Sequence, residues 1–324
     1  MAVSRRTLLM VVAGGALAGC GTRAAGPASP APSAQAEAAS APSALAPSAP
    51  AIPSAATPSA PGAGPSAPAT PTAPEPSPEP AHQPVQQAPA RPDRATVVER
   101  YGELAPNEWG LEVSGVVTAL PEGESATALT FDACGGPGGS GYDADLIDAL
   151  RSHGVPATLF LNARWIDANP EEFERLAADP LFEIGNHGTV HRPLSVTGRS
   201  AYGIAGTRDV GEVYDEVAGN TRKLTELLGH PPRFFRSGTA HYDDVATRVV
   251  ADLGQRVAGF SVNADDGATL SAAGVRQEVA SAPAGSIVIG HLNHPGGGTA
   301  PGVAAALPRL LAAGRRFVRL SDVL

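Results

Sequence analysis

Cysteine, lysine and aromatic side chains are all scarce in this 324-residue chain, and each shortage excludes something. Cys20 and Cys134 are the two cysteines, so no disulfide framework staples the fold and a hydrophobic core must hold it. Lys223 is the sole lysine, and 32 acidic residues outnumber 23 basic ones, for a formal net charge of −9. That balance leaves no electrostatic footprint for nucleic acid or for anionic lipid headgroups. Aromatic residues make up 5% of the whole and are missing from residues 21–93, where 19 of the 32 prolines sit among alanine and serine. Such a stretch cannot bury enough apolar surface to offset chain entropy, and it reads as a disordered, partly polyproline tether.

Ahead of the tether, residues 1–20 read as an export signal. Arg5-Arg6 precedes an apolar run over 8–17 that is too short to span a bilayer, and Leu17-Ala-Gly-Cys20 closes it. The closing residues are similar to a bacterial lipobox, whose cysteine is lipidated and becomes the mature N-terminus, and Ser4-Arg-Arg-Thr-Leu-Leu is similar to a twin-arginine signal. Loss of residues 1–19 removes Arg5 and Arg6 and moves the formal charge from −9 to −11. The expectation is an exported monomer, anchored through a lipid on Cys20 to the outer face of a bacterial cell membrane, or secreted. The tether would lift a single folded domain, 94–324, into the envelope space.

Within that domain strands and helices alternate. After a lead-in containing Val97-Val98, Trp109 and 113–117, strands are expected at 126–131, 157–161, 182–185, 233–235, 256–262, 286–289 and 317–319. Helices are expected at 143–153, 170–178, 210–228, 243–253, 271–281 and 302–313, with Asn169 capping the second and Pro170 in its first turn. Seven strands separated by helices imply an α/β fold of parallel units, and at about 230 residues the natural closure is a distorted (β/α)7 barrel.

In such a barrel all strand C-termini open on one face, so polar residues just past successive strands converge however far apart they lie in sequence. Here they are Asp132; Asn186, His187 and His191; Arg236; Asn263, Asp265 and Asp266; and His291 with His294. His187-Gly-Thr-Val-His191 places two imidazoles four residues apart, which on a helical turn puts both on one face at a spacing suited to a single Zn²⁺. A fixed guanidinium at Arg236 would hold a carboxylate such as Asp132 ionised, and His291, emerging from the apolar run 286–289, is placed for a general acid. His294 is a rim residue. Gly136-Pro-Gly138-Gly-Ser-Gly141 fits G-x-G-x-x-G, yet no acid ends the second strand to bind a ribose and Asp132 would repel a pyrophosphate, so a nucleotide site is excluded. Cys134 stands where a ligand or nucleophile could stand, but its own motif holds no base to activate it, and it reads as a small buried filler.

These residues resemble the polysaccharide deacetylases of carbohydrate esterase family 4, the NodB-homology domain, over about 126–324. The family's T-F-D-D-G is similar to Thr130-Phe-Asp-Ala-Cys134, its H-[ST]-x-x-H to His187-Gly-Thr-Val-His191, and its R-x-P-Y to Arg236-Ser-Gly-Thr. Its D-x-x-D-W is similar to Asn263-Ala-Asp-Asp266-Gly, and its closing hydrophobic-plus-His motif to Ile287-Val-Ile-Gly-His291. The resemblance implies a distorted (β/α)7 barrel that hydrolyses N-acetyl groups on amino sugars with a divalent metal, zinc being the common one. It implies Asp132 as general base, His187 and His191 as metal ligands, Arg236 tuning Asp132, Asp266 supporting Arg236 or the acid, and His291 as that acid.

The chain also departs from the pattern. Ala133 stands where the family carries its metal-binding Asp, leaving Asp132 itself, Cys134, Asp143 or water as the third ligand. Thr239 and Gly267 replace the aromatic residues that flank the family's substrate groove. The expected function is a metal-dependent hydrolase acting on N-acetylated glycans, peptidoglycan foremost. The alternatives are a related C–N hydrolase on a smaller amide, or a glycan-binding pseudoenzyme.

Overall fold

The computed structural model describes residues 91–324; the export signal, the lipobox and nearly all of the tether lie outside them. The chain enters through helix α1 (Arg94–Tyr101), then strands β1 (Trp109–Gly110) and β2 (Val116–Val117), before the first long strand β3 (Ala128–Ala133). There follow α2 (Ala144–Ser152), β4 (Ala157–Leu161), α3 (Ala163–Ala168), α4 (Pro170–Ala177), β5 (Phe182–Asn186) and α5 (Val210–Leu228). The second half runs β6 (Phe234–Phe235), β7 (Tyr242–Asp243), α6 (Asp244–Asp252), β8 (Arg256–Ala258), β9 (Val262–Asn263), α7 (Ala272–Ser281), β10 (Ile287–His291) and α8 (Thr299–Ala312). Among the described residues, no helix is long and apolar enough to cross a membrane.

Eight strands form one parallel sheet in the order β2-β8-β6-β5-β4-β3-β10-β9, curled into a barrel that does not close by a continuous ladder. The stretch expected as one strand at 256–262 is two. β8 pairs with β2 and β6, whereas β9 pairs with β10, so Gly259–Ser261 spans the seam between the first and last turns of the curl. β2, expected only as lead-in, supplies an eighth strand outside β8. The strand expected at 317–319 is a single bridge from Phe317 to Thr127, after which the chain turns into the short 3₁₀ helix Leu320–Asp322. β1 and β7 make a separate antiparallel pair.

Local chemistry accounts for the element ends. Asp209 caps α5 by accepting from the Glu212 N–H at 2.8 Å, and Gly229 ends it in the left-handed conformation at φ 77°. Asn169 precedes α4 as expected, with Pro170 in the first turn, but its side chain makes no cap bond. Its amide donates instead to the carbonyls of Ser140 and Trp165, because the same residue also terminates α3.

Strand alternation divides the core in two. Leu129, Phe131 and Ala133 of β3, Leu159 and Leu161 of β4, and Val288 of β10 face outward onto α2, α7 and α8. The opposite parity fills the barrel: Ala128, Phe160, Phe234, Ala258 and Ile287, closed at the base by Leu120, Val318 and Leu320. Continuing that inward parity to the C-terminal ends of the strands reaches Asp132, His187, Arg236 and His291.

Candidate active site

Arg236 is the floor of the site. It is wholly buried, its guanidinium 4.2 Å from the centre of the Phe160 ring, and it makes four hydrogen bonds inside the protein. Nε donates to the Ala258 carbonyl at 3.0 Å and Nη2 to the Gly259 carbonyl at 2.9 Å, both at the seam between β8 and β9. Nη1 donates to Thr130 Oγ1 at 3.0 Å and to Asp132 Oδ1 at 2.7 Å. The break in the expected strand therefore has a purpose: it frees carbonyls that a continuous ladder would occupy.

Asp132 sits above Arg236 with its second oxygen 3.6 Å from His187 Nε2. Burial favours the neutral acid, but the charges of Arg236 and the nearby imidazoles outweigh it and hold the carboxyl below its usual range. Directly across the sheet, His291 lies in register with Asp132. Its Nδ1 bonds to Asp265 Oδ1 at 2.9 Å, its backbone N–H donates to Asp265 Oδ2 at 2.7 Å, and Thr299 donates to the same oxygen at 2.9 Å. Burial favours the neutral ring here too, yet Asp265 holds the imidazole well above the ordinary histidine range.

Asp265 is the partner that the sequence reading assigned to its neighbour. Asp266 touches neither Arg236 nor His291 by any hydrogen bond. Its backbone turns into the left-handed region at φ 50°, its N–H donates to Asn263 Oδ1 at 3.0 Å, and its side chain is exposed on the pocket wall.

The two histidines after β5 converge, although not on a helix. The segment beyond Asn186 is a loop, with Gly188 at φ 78° and His191 at φ 64°, and it brings the rings into a T-shaped contact 5.0 Å apart. His187 Nδ1 lies 3.0 Å from the Arg236 carbonyl, which only accepts, so in the neutral ring that binds an ion Nδ1 carries the proton and Nε2 presents the lone pair. Gly238 lets the β6 loop close on His191: a Cβ there would lie 2.4 Å from the His191 carbonyl carbon. Glu216 of α5, buried, holds the loop by accepting from the Val190 and Arg192 N–H groups at 3.1 and 3.2 Å. Glu216 was missed as a site residue; the available signal was a carboxylate interrupting the apolar stripe Val210, Val213, Val217 of α5.

Cys134, expected as a small buried filler, lies among the imidazoles. Its Sγ lies 3.9 Å from His187 Nε2, and the ligand atoms of Cys134, His187 and His191 all fall within 4.8 Å of one another. His191 Nε2 is buried without a hydrogen-bond partner, as a ring nitrogen intended for an ion would be. Burial alone would raise the thiol, but the imidazoles of His187, His191 and His291 around it hold it well below the usual range. Asp143, another candidate ligand, caps α2 through Oδ1, accepting from Leu146 at 3.2 Å, and stands outside the converging set of Cys134, His187 and His191. His294 stays at the rim, its ring 6.4 Å from that of His291. The glycine-rich loop after Cys134 packs against α3, where Gly141 accepts from the Trp165 indole at 2.7 Å.

Over these groups opens a pocket of about 340 Å³, walled in part by Tyr202, Phe260 and Ile289 and reached by Asp132, Cys134, His191 and His291. Thr239 and Gly267 lie in its wall where aromatic residues were missing, but Tyr202 supplies one from another loop, three-quarters exposed and edge-on to His241 at 5.1 Å.

Fold and site define a hydrolytic centre at the C-terminal rim of a parallel α/β barrel. Residues 120–258 match a family model described as polysaccharide deacetylase. It is 25% identical over 226 residues to a peptidoglycan-N-acetylglucosamine deacetylase of Bacillus cereus, covering 68% of this chain and 76% of that one. It is 29% identical over 180 residues to a chitooligosaccharide deacetylase of a Bradyrhizobium species, covering 54% of this chain and 74% of that one. Among solved structures, a peptidoglycan N-acetylglucosamine deacetylase shares the fold at a TM-score of 0.53 and 23% identity, over 65% of this chain and 92% of that one. A carbohydrate esterase family 4 pseudoenzyme of Bacillus anthracis shares it at 0.55 and 19%, over 65% and 69%.

Proposed function

We propose that this protein is a metal-assisted deacetylase of N-acetylated amino-sugar polymers, with envelope peptidoglycan as the substrate its export signal and tether would bring within reach. The observation that carries the reading is the opposed pair at the pocket floor: Asp132 and His291 are in register on adjacent strands, and each is bonded to its own buried partner, Arg236 at 2.7 Å and Asp265 at 2.9 Å, which pushes the carboxyl down and the imidazole up. Two titratable groups driven apart by their surroundings divide the roles of base and acid at one pH.

In this reading Cys134, His187 and His191 hold a divalent ion, which when bound supplies Lewis-acid polarisation of the acetamide. Asp132 Oδ2, the oxygen that Arg236 leaves free, takes the proton of the attacking water. Arg236 keeps that carboxylate charged and aimed. His291 Nε2, opposite the nitrogen bound by Asp265, gives a proton to the departing amine, and acetate leaves. Tyr202 offers a flat face against which a sugar ring stacks.

One observation favours a second reading. Ala133 removes a carboxylate from the family's first motif, as would suit a glycan-binding pseudoenzyme. The test is acetate release from peptidoglycan and from chitin oligomers by the full chain, before and after chelation, beside metal analysis of the purified protein. Chelator-sensitive release is expected. Release that survives complete metal removal overturns the mechanism, and metal-loaded protein that binds glycan without releasing acetate supports the pseudoenzyme.

A further inference from the structure

The donor set beside Asp132 contains sulfur. Ala133 faces outward into the strand–helix core, so its position presents nothing to the pocket; the next residue, beyond the end of β3, turns its side chain back over the rim. Asp132 has one oxygen fixed by Arg236 and the other beside His187 alone, and Asp143 caps a helix away from the rings; neither joins the set of donors that converge on both imidazoles. The side chain that does is Cys134, its Sγ 3.9 Å from His187 Nε2. His191 Nε2 is buried and unpartnered, and the Arg236 carbonyl fixes the His187 tautomer that leaves its Nε2 lone pair available. Three donors no more than 4.8 Å apart are reached by one ion with bonds of roughly 2.0–2.3 Å after a small inward movement.

We infer that Cys134 binds the ion through its sulfur, giving a Cys–His–His centre that selects zinc, cobalt(II) or iron(II) over magnesium, manganese or calcium. The inference rests on the metal-assisted reading above and deepens it. A thiolate supplies the same single negative charge as a carboxylate but is a soft donor, poorly matched to hard cations that prefer oxygen. It also leaves Asp132 off the metal, free to move a proton.

The test is spectroscopic and needs no turnover. The full chain, stripped with a chelator and titrated with cobalt(II), is expected to develop a near-ultraviolet sulfur-to-cobalt charge-transfer band together with the visible bands of a four-coordinate ion. The same band is expected in Cys20→Ser, which removes the only other thiol, and is lost in Cys134→Ser and Cys134→Asp. Zinc affinity should fall in Cys134→Ser by more than the roughly 10–100-fold that loss of an outer-shell partner costs. Cys134→Asp should gain manganese binding relative to zinc. Cobalt bound to the wild type without the band, a band that disappears with Cys20→Ser, or no stoichiometric cobalt binding overturns the inference. Should Cys134→Ser fail to fold, the wild-type and Cys20→Ser spectra decide alone. Chelator-sensitive acetate release without the band sinks the sulfur ligand and spares the deacetylase; the band without acetate release does the reverse.

Discussion

The two sides of the pocket floor use the same kind of pair for opposite ends. On the β3 side a carboxylate, Asp132, faces the water-side reaction and its partner, Arg236, is sealed beneath; on the β10 side the imidazole, His291, faces the pocket and the carboxylate, Asp265, is sealed behind. Burial opposes the charged form in both places, and in both the buried partner wins. The outcome is an acid pushed down and a base pushed up on neighbouring strands, with the backbone register fixing their separation. Which member is exposed to the pocket, not the chemistry of the pair, sets the role.

Substitutions can break that opposition at either end. The largest effect is expected for Asp132→Asn, which keeps the shape and removes the base: acetate release should fall by about 10²–10⁴-fold, measured as initial rate at saturating glycan. Arg236→Met comes next. It leaves Asp132 buried without its cation, at a cost of about 3–5 kcal/mol readable as a lower melting temperature. Because the carboxyl would then titrate higher and the base works only when ionised, the acid limb of the rate profile should move to higher pH. Asp265→Asn should act on the opposite limb. His291 works protonated, so lowering its pKa shifts the alkaline limb to lower pH, with the acid limb unmoved. A parallel shift of both limbs would show that the two pairs titrate as one unit. The smallest effect is expected for Tyr202→Ala: KM for longer oligomers should rise a few-fold while kcat stays constant, and an equal loss for a monosaccharide amide would remove Tyr202 from glycan binding.

Much of this was legible because parallel strands are covered on both faces and so read as continuous apolar runs, while their helices carry a polar face. The strand 157–161 and the helix 210–228 stand at their expected bounds. The strand-end rule also brought Asp132, His187, His191, Arg236 and His291 to one rim, since inward parity carries from Ala128 to Asp132 and from Ile287 to His291. What was hidden depends on contacts between distant residues. Asp265 and Asp266 are adjacent carboxylates, and only the left-handed turn at Asp266 decides which faces β10. Cys134 seemed inert from its own motif because the imidazoles that surround it arrive 53 or more residues later. Glu216 looked like one more charge on a helix until the loop after β5 folded onto it.

Arg236 also ties the β8 side of the β8–β9 break to Thr130 and Asp132 of β3. One side chain thereby acts as the latch of the barrel and the keeper of its base. A molecule whose wall gapes at that join cannot retain a charged Asp132, so partial opening should silence the enzyme before any global melting is seen.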